Sequence, residues 1–176
     1  IGSGTILDTA RLRSRLAEYY NISQQNVHAY VFGEHGDSSF VPWSLGNISN
    51  VPIDQYSACL TDQGKIMPEI NLDDVENYIR KSGAKIIARK GATFYAVAVS
   101  VSHICKSILS GTDTTMTVSS MMHGEYGIED VCMSMLTIVG RTGIKGKIIA
   151  PLTDHEKELM VKSANCLKDV IKQLDI

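Results

Sequence analysis

Cysteine is scarce and unpaired here: Cys59, Cys105, Cys132 and Cys166 lie far apart, with no CxxC pair and no zinc-ligand spacing. That argues against a disulfide framework or a metal knot and predicts reduced, mostly buried thiols in a cytoplasmic protein. Charge of one sign is missing too. Lys and Arg total 17 against 19 Asp and Glu, a formal net charge of -2 with a pI of about 6.2. No global basic field can therefore hold nucleic acid or an anionic membrane, and any anion site must be local. No apolar run reaches the roughly 18 residues of a membrane span, and no charged leader precedes a hydrophobic stretch. Repeats, low-complexity tracts and obvious linkers are absent. The chain also opens at Ile1 without an initiator methionine and enters a helix signal at once, as expected of a piece of a longer protein.

With 44% apolar residues over 176 positions, one compact domain is expected, burying about two-thirds of its unfolded surface around a single core. Gly2, Ser3, Gly4 and Thr5 form a polar lead-in, after which Leu7, Leu12, Leu16 and Tyr20 recur at helical spacing, predicting a helix over 6–20. The β-branched and aromatic run from Val27 to Phe32 predicts a strand, ended by the tight polar loop Gly33-Glu34-His35-Gly36-Asp37-Ser38. Residues 39–71 hold Pro42, Pro52 and Pro68 and read as mostly irregular. Helices follow over 72–89 and 93–110. In the second, Phe94, Val97, Val101, Ile104 and Ile108 draw one apolar stripe. Short strands at 115–122, 130–140 and 146–150, punctuated by glycines, predict an antiparallel meander. Met116, Met121, Met122, Met133 and Met135 read as strand packing or interface filler. Thr153-Asp154-His155-Glu156 is a capping box opening a terminal helix whose Met160, Leu167, Val170, Ile171 and Leu174 are expected to face inward. The fold class is α+β, with helices packed on antiparallel sheet.

The sharpest chemical constellation is Asp8 with Arg11 on the first helix and His35 in the glycine-flanked loop. Asp8 and Arg11 are three apart and so share a helix face. His35 sits beside Glu34 and Asp37 in a loop too polar for a core, where Gly33 and Gly36 permit close approach by a ligand. A carboxylate beside an imidazole fixes its tautomer and favours the protonated form, while a guanidinium offers two parallel N–H bonds to a carboxylate. A 2-hydroxy acid needs both groups, one to exchange the hydroxyl proton and one to anchor the acid. Spacing alone leaves open a plainer reading, in which Asp8 and Arg11 form a surface ion pair worth under about 1 kcal/mol and His35 is an ordinary loop histidine. A hydrolase is disfavoured, since no serine or cysteine stands in a nucleophile-elbow context.

The segment Gly2-Ser3-Gly4-Thr5-Ile6-Leu7-Asp8-Thr9-Ala10-Arg11-Leu12-Arg13 resembles the signature of L-lactate dehydrogenases, and Gly33-Glu34-His35-Gly36-Asp37-Ser38 resembles that family's catalytic-histidine motif. The resemblance continues through Lys90-Gly91-Ala92-Thr93 and Tyr126-Gly127-Ile128-Glu129-Asp130-Val131 to the terminal helix, covering essentially the whole chain. It implies a lactate/malate dehydrogenase C-terminal-domain-like fold, with His35 as proton donor and acceptor, Asp8 as its orienting carboxylate and Arg11 as the clamp on the substrate carboxylate. It implies Thr93 in the substrate pocket and Val97 beside the nicotinamide ring, although Val97 also reads as plain core of its stripe. The implied reaction interconverts pyruvate and L-lactate by hydride transfer with NAD.

A dinucleotide site needs a strand, a Gly-rich turn, a helix and a downstream acid. Gly2-x-Gly4 lacks the preceding strand and the third glycine, so it is helix lead-in. Residues 1–176 are then one catalytic, substrate-binding domain, with the N-terminal NAD-binding Rossmann domain and its mobile loop absent, and the chain alone is expected to be inactive.

Arg13, about 200° round the helix from Arg11, points away from the catalytic face. His28 lies roughly 20 Å before His35 if the segment is extended. Spacing reads them as a solvated arginine and a half-exposed strand histidine. The resemblance, to the bacterial allosteric type, implies a site for the activator fructose 1,6-bisphosphate at a subunit interface of a homo-oligomer, a tetramer in the intact enzyme. One departure stands out: the family usually carries a proline near Leu136, and Ser134-Met135-Leu136 lacks it, which puts a local bend in doubt. Alternatives are a malate or other 2-hydroxyacid dehydrogenase domain, against which Thr9-Ala10, Arg13, His28 and Thr93 weigh, and a non-enzymatic module that binds sugar phosphate.

Overall fold

A computed structural model describes residues 1–60 and 70–174. Pro68 lies outside the described residues. The elements in chain order are α1 (Ile6–Tyr20), β1 (Val27–His28), β2 (Asn47–Ile48), β3 (Val51–Pro52), α2 (Ile53–Cys59), α3 (Leu72–Lys90), α4 (Tyr95–Ser110), β4 (Thr114–His123), β5 (Glu129–Gly140), β6 (Gly143–Lys147) and α5 (Asp154–Ile171). Among the described residues two three-stranded sheets form, β1-β2-β3 and β4-β5-β6, and every pairing is antiparallel. Among the described residues no helix is long and apolar enough to cross a membrane.

Local chemistry sets the helix ends. The Asn71 side chain accepts from the Asp74 amide at the start of α3, Arg89 and Lys90 fill its last turn, and Gly91 closes it in the left-handed conformation at φ 81°. The capping box of α5 is present in both directions, Glu156 N donating to Thr153 and Thr153 N to Glu156. Glu156 also accepts from the backbone N–H and the hydroxyl of Ser44, which ties the helix start to the turn at Trp43–Leu45.

Among the described residues the core has three parts. Leu12, Leu16 and Tyr20 of α1 pack with Val27, Ile48, Ile53, Val75 and Ile79. Phe32 and Phe40 join Met122, Met133, Met135 and Met160, and Ile104 meets Met116, Val118 and Val139. Met121 is exposed, unlike the other strand methionines.

Several expectations need correction. The strand expected over 27–32 ends after His28, where side chains of α1 and of Thr5 just before it take the place of a neighbouring strand: Thr9 Oγ1 accepts from Val31 N, Thr5 Oγ1 donates to Val31 O, and Arg13 Nε donates to Ala29 O. The stretch 39–71, expected to be mostly irregular, holds the two-residue strands β2 and β3 and the helix α2 in its described part, and 61–69 lie outside the described residues. Of the α4 stripe, Ile104 is buried and Ile108 half-buried, whereas Phe94, Val97 and Val101 are exposed. The packed face carries Ser100 and Ser107, whose hydroxyls donate to the carbonyls of Ala96 and His103 and let the helix lie close. Met160 and Leu167 of α5 pack as expected, but Val170, Ile171 and Leu174 run past the core and are exposed. All four cysteines are exposed, Cys132 because it points outward between buried Val131 and Met133. The strand expected at 146–150 sits at Gly143–Lys147. Where proline is missing, β5 runs through Leu136 in unbroken register with β4, Thr117 opposite Leu136.

Candidate active site

Asp8 and His35 stand on separate segments, and the central sheet brings them together. Ser119 of β4 pairs with Ser134 of β5. Gly2 bridges to Ser119 on one side and Gly33 to Ser134 on the other, with N–O distances of 2.9–3.0 Å. The lead-in to α1 and the histidine loop therefore hang from one rung of the ladder. Thr5 N donates to Ser134 Oγ at 3.1 Å, and Thr9 and Thr117 share a hydroxyl hydrogen bond of 2.9 Å. Gly4 adopts φ +52°, and a Cβ there would run into Ser134 Oγ and come within 2.6 Å of Ser119 N. The loop is fastened from the other side by α5: Glu34 N donates to Ser163 Oγ at 2.8 Å, and the Ser38 and Ser163 hydroxyls lie 3.0 Å apart.

This anchoring leaves the Asp8 carboxylate, 8% exposed, between two partners. Its Oδ2 is 2.6 Å from His35 Nδ1, and its Oδ1 accepts from Arg11 Nη1 at 3.1 Å. With one ring nitrogen engaged and the side chain 60% exposed, His35 presents Nε2 outward. Its pKa is raised above 6.5 chiefly by the hydrogen bond to Asp8. Partial burial opposes that rise, the Asp8 charge adds to it, the Arg11 charge opposes it, and Glu34 adds a little.

A cavity of about 270 Å³ opens beside this cluster, lined by Asp8, Arg11, His35, Thr93 and Val97 among others. All five residues named from sequence for catalysis, substrate and nicotinamide thus meet on one cavity. Val97 is part-exposed on its wall, so the core reading of this residue fails. Sequence reasoning missed Arg80, also on the wall, whose Nε donates to Ser39 O at 2.9 Å and which pairs with Glu76. The i,i+4 spacing of Glu76 and Arg80 was legible, but such pairs usually lie on solvated faces. Ser134 and Ser163, the fasteners, gave no signal at all.

Arg13 faces elsewhere, as its helical phase requires. Its guanidinium lies 4.7 Å from the Tyr30 ring centre and lines a separate cleft with Thr9, Gln24 and His103. His28 is exposed on β1 and does not line that cleft. Arg13 reaches the segment that carries His28, since its Nε donates to the carbonyl of the next residue, Ala29, at 3.0 Å.

The family described as lactate/malate dehydrogenase, alpha/beta C-terminal domain, matches residues 5–175. The L-lactate dehydrogenase of Acetivibrio thermocellus is 43% identical across 100% of this chain and 55% of its own length, and that of Thermoanaerobacterium saccharolyticum is 44% identical across 99% and 55%. Among solved structures, an L-lactate dehydrogenase from Clostridium thermocellum superposes with a TM-score of 0.88 at 35% identity, covering 100% of this chain and 56% of that one. The minor L-lactate dehydrogenase of Enterococcus mundtii gives 0.90 at 32%, covering 100% and 55%. The chain spans about half the length of these relatives. It belongs to the lactate/malate dehydrogenase family, in which it is an alpha/beta C-terminal domain.

Proposed function

We propose that this chain is the catalytic, substrate-binding half of a cytoplasmic NAD-dependent L-lactate dehydrogenase. The observation that carries the reading is the Asp8 carboxylate held between His35 and Arg11 on one cavity. In pyruvate reduction, Arg11 grips the substrate carboxylate with its remaining donors. His35 Nε2 gives its proton to the carbonyl oxygen as the alkoxide forms, and Asp8 holds the ring in the matching tautomer and stabilises its charge. Lactate oxidation returns the proton to His35. NAD, when bound, supplies or accepts the hydride at the substrate carbon.

The residues present fit the nicotinamide end of that cofactor: Leu7, Ile87 and Val97 give the cavity an apolar wall close to His35. They do not supply the phosphate cradle, since Gly2 and Gly4 are taken up by Ser119 and Ser134. We assign the cradle to a nucleotide-binding Rossmann half outside these residues. The 176-residue chain alone should therefore be silent with NADH and pyruvate.

Oligomer formation has support in the open apolar surface of α4, where Tyr95, Val99 and Leu109 are 70%, 70% and 82% exposed. Arg13 and His28 would meet their symmetry mates across a two-fold axis to bind fructose 1,6-bisphosphate. The placement of Arg13 away from the catalytic cavity and the exposure of His28 support that reading. Loss of calorimetric affinity in Arg13→Leu and His28→Ala is its measure.

The test of the enzymatic reading uses single-turnover kinetics on the full-length protein with pyruvate and, in parallel, oxaloacetate. His35→Gln should slow the chemical step roughly 10² to 10⁴ fold. Arg11→Lys should act mainly on KM. An unchanged rate in the histidine variant removes its role, and a preference for oxaloacetate makes the protein a malate dehydrogenase.

A further inference from the structure

Arg11 lines a second cleft as well, of about 460 Å³, between α1 and α3. Arg15 from α1 and Lys85 and Arg89 from α3 converge on it, with Glu18 as the single carboxylate of the lining among the described residues. Glu18 is 72% exposed and paired to Arg15 at 3.1 Å. Arg15 Cζ and Lys85 Nζ stand 5.0 and 4.9 Å from the centre of the Tyr78 ring, so the two charges lie within about 10 Å of each other. That is close to one screening length at physiological salt, and each raises the electrostatic potential felt by the other. The ring attracts both cations but brings no negative charge to cancel them.

In a chain of net charge -2, the four cations among the described residues of this lining outnumber their carboxylate partners, Glu18 on Arg15 and Asp8 on Arg11, and the excess carried by Lys85 and Arg89 concentrates positive potential on a concave surface. The guanidinium groups supply planar forks for oxyanion oxygens, and Lys85 supplies a point charge. Arg11 uses Nη1 on Asp8 and lines both this cleft and the catalytic cavity.

We propose that the α1–α3 cleft is a second anion site, suited to a compact oxyanion of two or more negative charges, phosphate or diphosphate in class, whose occupancy competes with the substrate carboxylate for Arg11. The binding half stands on the cleft alone. The competition half rests on the dehydrogenase reading given above.

The experiment is calorimetric titration of inorganic phosphate and of diphosphate into the full-length protein at low salt, repeated with Arg15→Gln/Lys85→Gln/Arg89→Gln. Saturable binding is expected, tighter for diphosphate, weakening as salt rises and roughly tenfold or more weaker in the triple variant. If the triple variant does not fold, Arg89→Gln alone, at an exposed position near the end of α3, should still weaken binding by about threefold or more. Equal affinity in parent and variant, or loss of the same binding in Arg13→Leu instead, overturns the site. In the kinetic arm, diphosphate should raise KM for pyruvate with kcat unchanged in the parent and not in the triple variant. Binding without that KM effect overturns the coupling through Arg11. A protein that turns over no pyruvate at all counts against the dehydrogenase reading and leaves the calorimetric result standing.

Discussion

Around Asp8 and His35 the polar atoms are tied to other elements of the chain, whereas along α4 apolar side chains stand in the open. The first region hangs from the Ser119–Ser134 rung and is fastened again by Ser163. In the second, only Ser100, Ile104 and Ser107 of α4 are buried, while Tyr95, Val99 and Leu109 are among the most exposed apolar residues described. The contrast separates two kinds of sequence signal. A short motif of glycines, threonines and charges reports a geometry the chain completes by itself, so it reads the same in isolation. An apolar stripe reports only that a face favours burial, and leaves open which surface buries it.

The largest expected effect probes the tied region. Asp8→Asn removes the main cause of the raised His35 pKa and leaves Arg11 without its carboxylate. In the parent, reduction needs protonated His35. Its kcat/KM should be full at low pH and fall as pH rises through a value above 6.5, while oxidation behaves in the reverse sense. The same raised pKa makes the Asp8–His35 contact stabilising below pH 6.5, and that contribution is lost as pH climbs through the folded-state value. In the variant both kinetic limbs should move down in pH, and the reduction rate near neutrality should drop by about 10² fold or more. The pH profile of kcat/KM checks this. An unmoved inflection would mean that Asp8 does not govern His35.

Next in size is the rung itself. Gly4→Ala demands a left-handed φ of +52° from an L residue and drives a methyl into Ser134 and Ser119. Strain and overpacking together should cost about 2–4 kcal/mol, read as a lower denaturant midpoint at unchanged slope. A loss under about 0.5 kcal/mol, the range of an ordinary surface change, would show that the lead-in is not anchored there.

Much of this region was legible beforehand. The first helix, the capping box and the antiparallel meander follow from periodicity and cap chemistry, whereas the five cavity residues were named through the resemblance of their motifs to a known family. The fasteners were not, because Ser134 and Ser163 are single serines whose importance lies in partners far away in sequence. The length of β1 was hidden for the same reason. Residues 29–31 have strand composition, but their backbone is satisfied by Thr5, Thr9 and Arg13, and no local rule announces that competition. Helical period placed α4 correctly and still mispredicted its burial, since the stripe does not say that Ser100 and Ser107 would be the close-packed face.

The smallest expected effect tests the open region. Leu109 is 82% exposed at the end of α4, so Leu109→Ser in the 176-residue chain removes almost no buried apolar area. Transfer of a fully buried leucine would be worth about 1.5–3 kcal/mol, and its truncation in a core about 2–5. An exposed one should change stability by less than about 0.5 kcal/mol. Chemical denaturation at two protein concentrations makes the measurement decisive. A small change independent of concentration agrees with a bare face. A loss above about 2 kcal/mol, or a midpoint that rises with protein concentration, would mean that α4 is covered by another copy of the chain in solution, and the contrast between the two regions would then belong to the single chain and not to its assembled state.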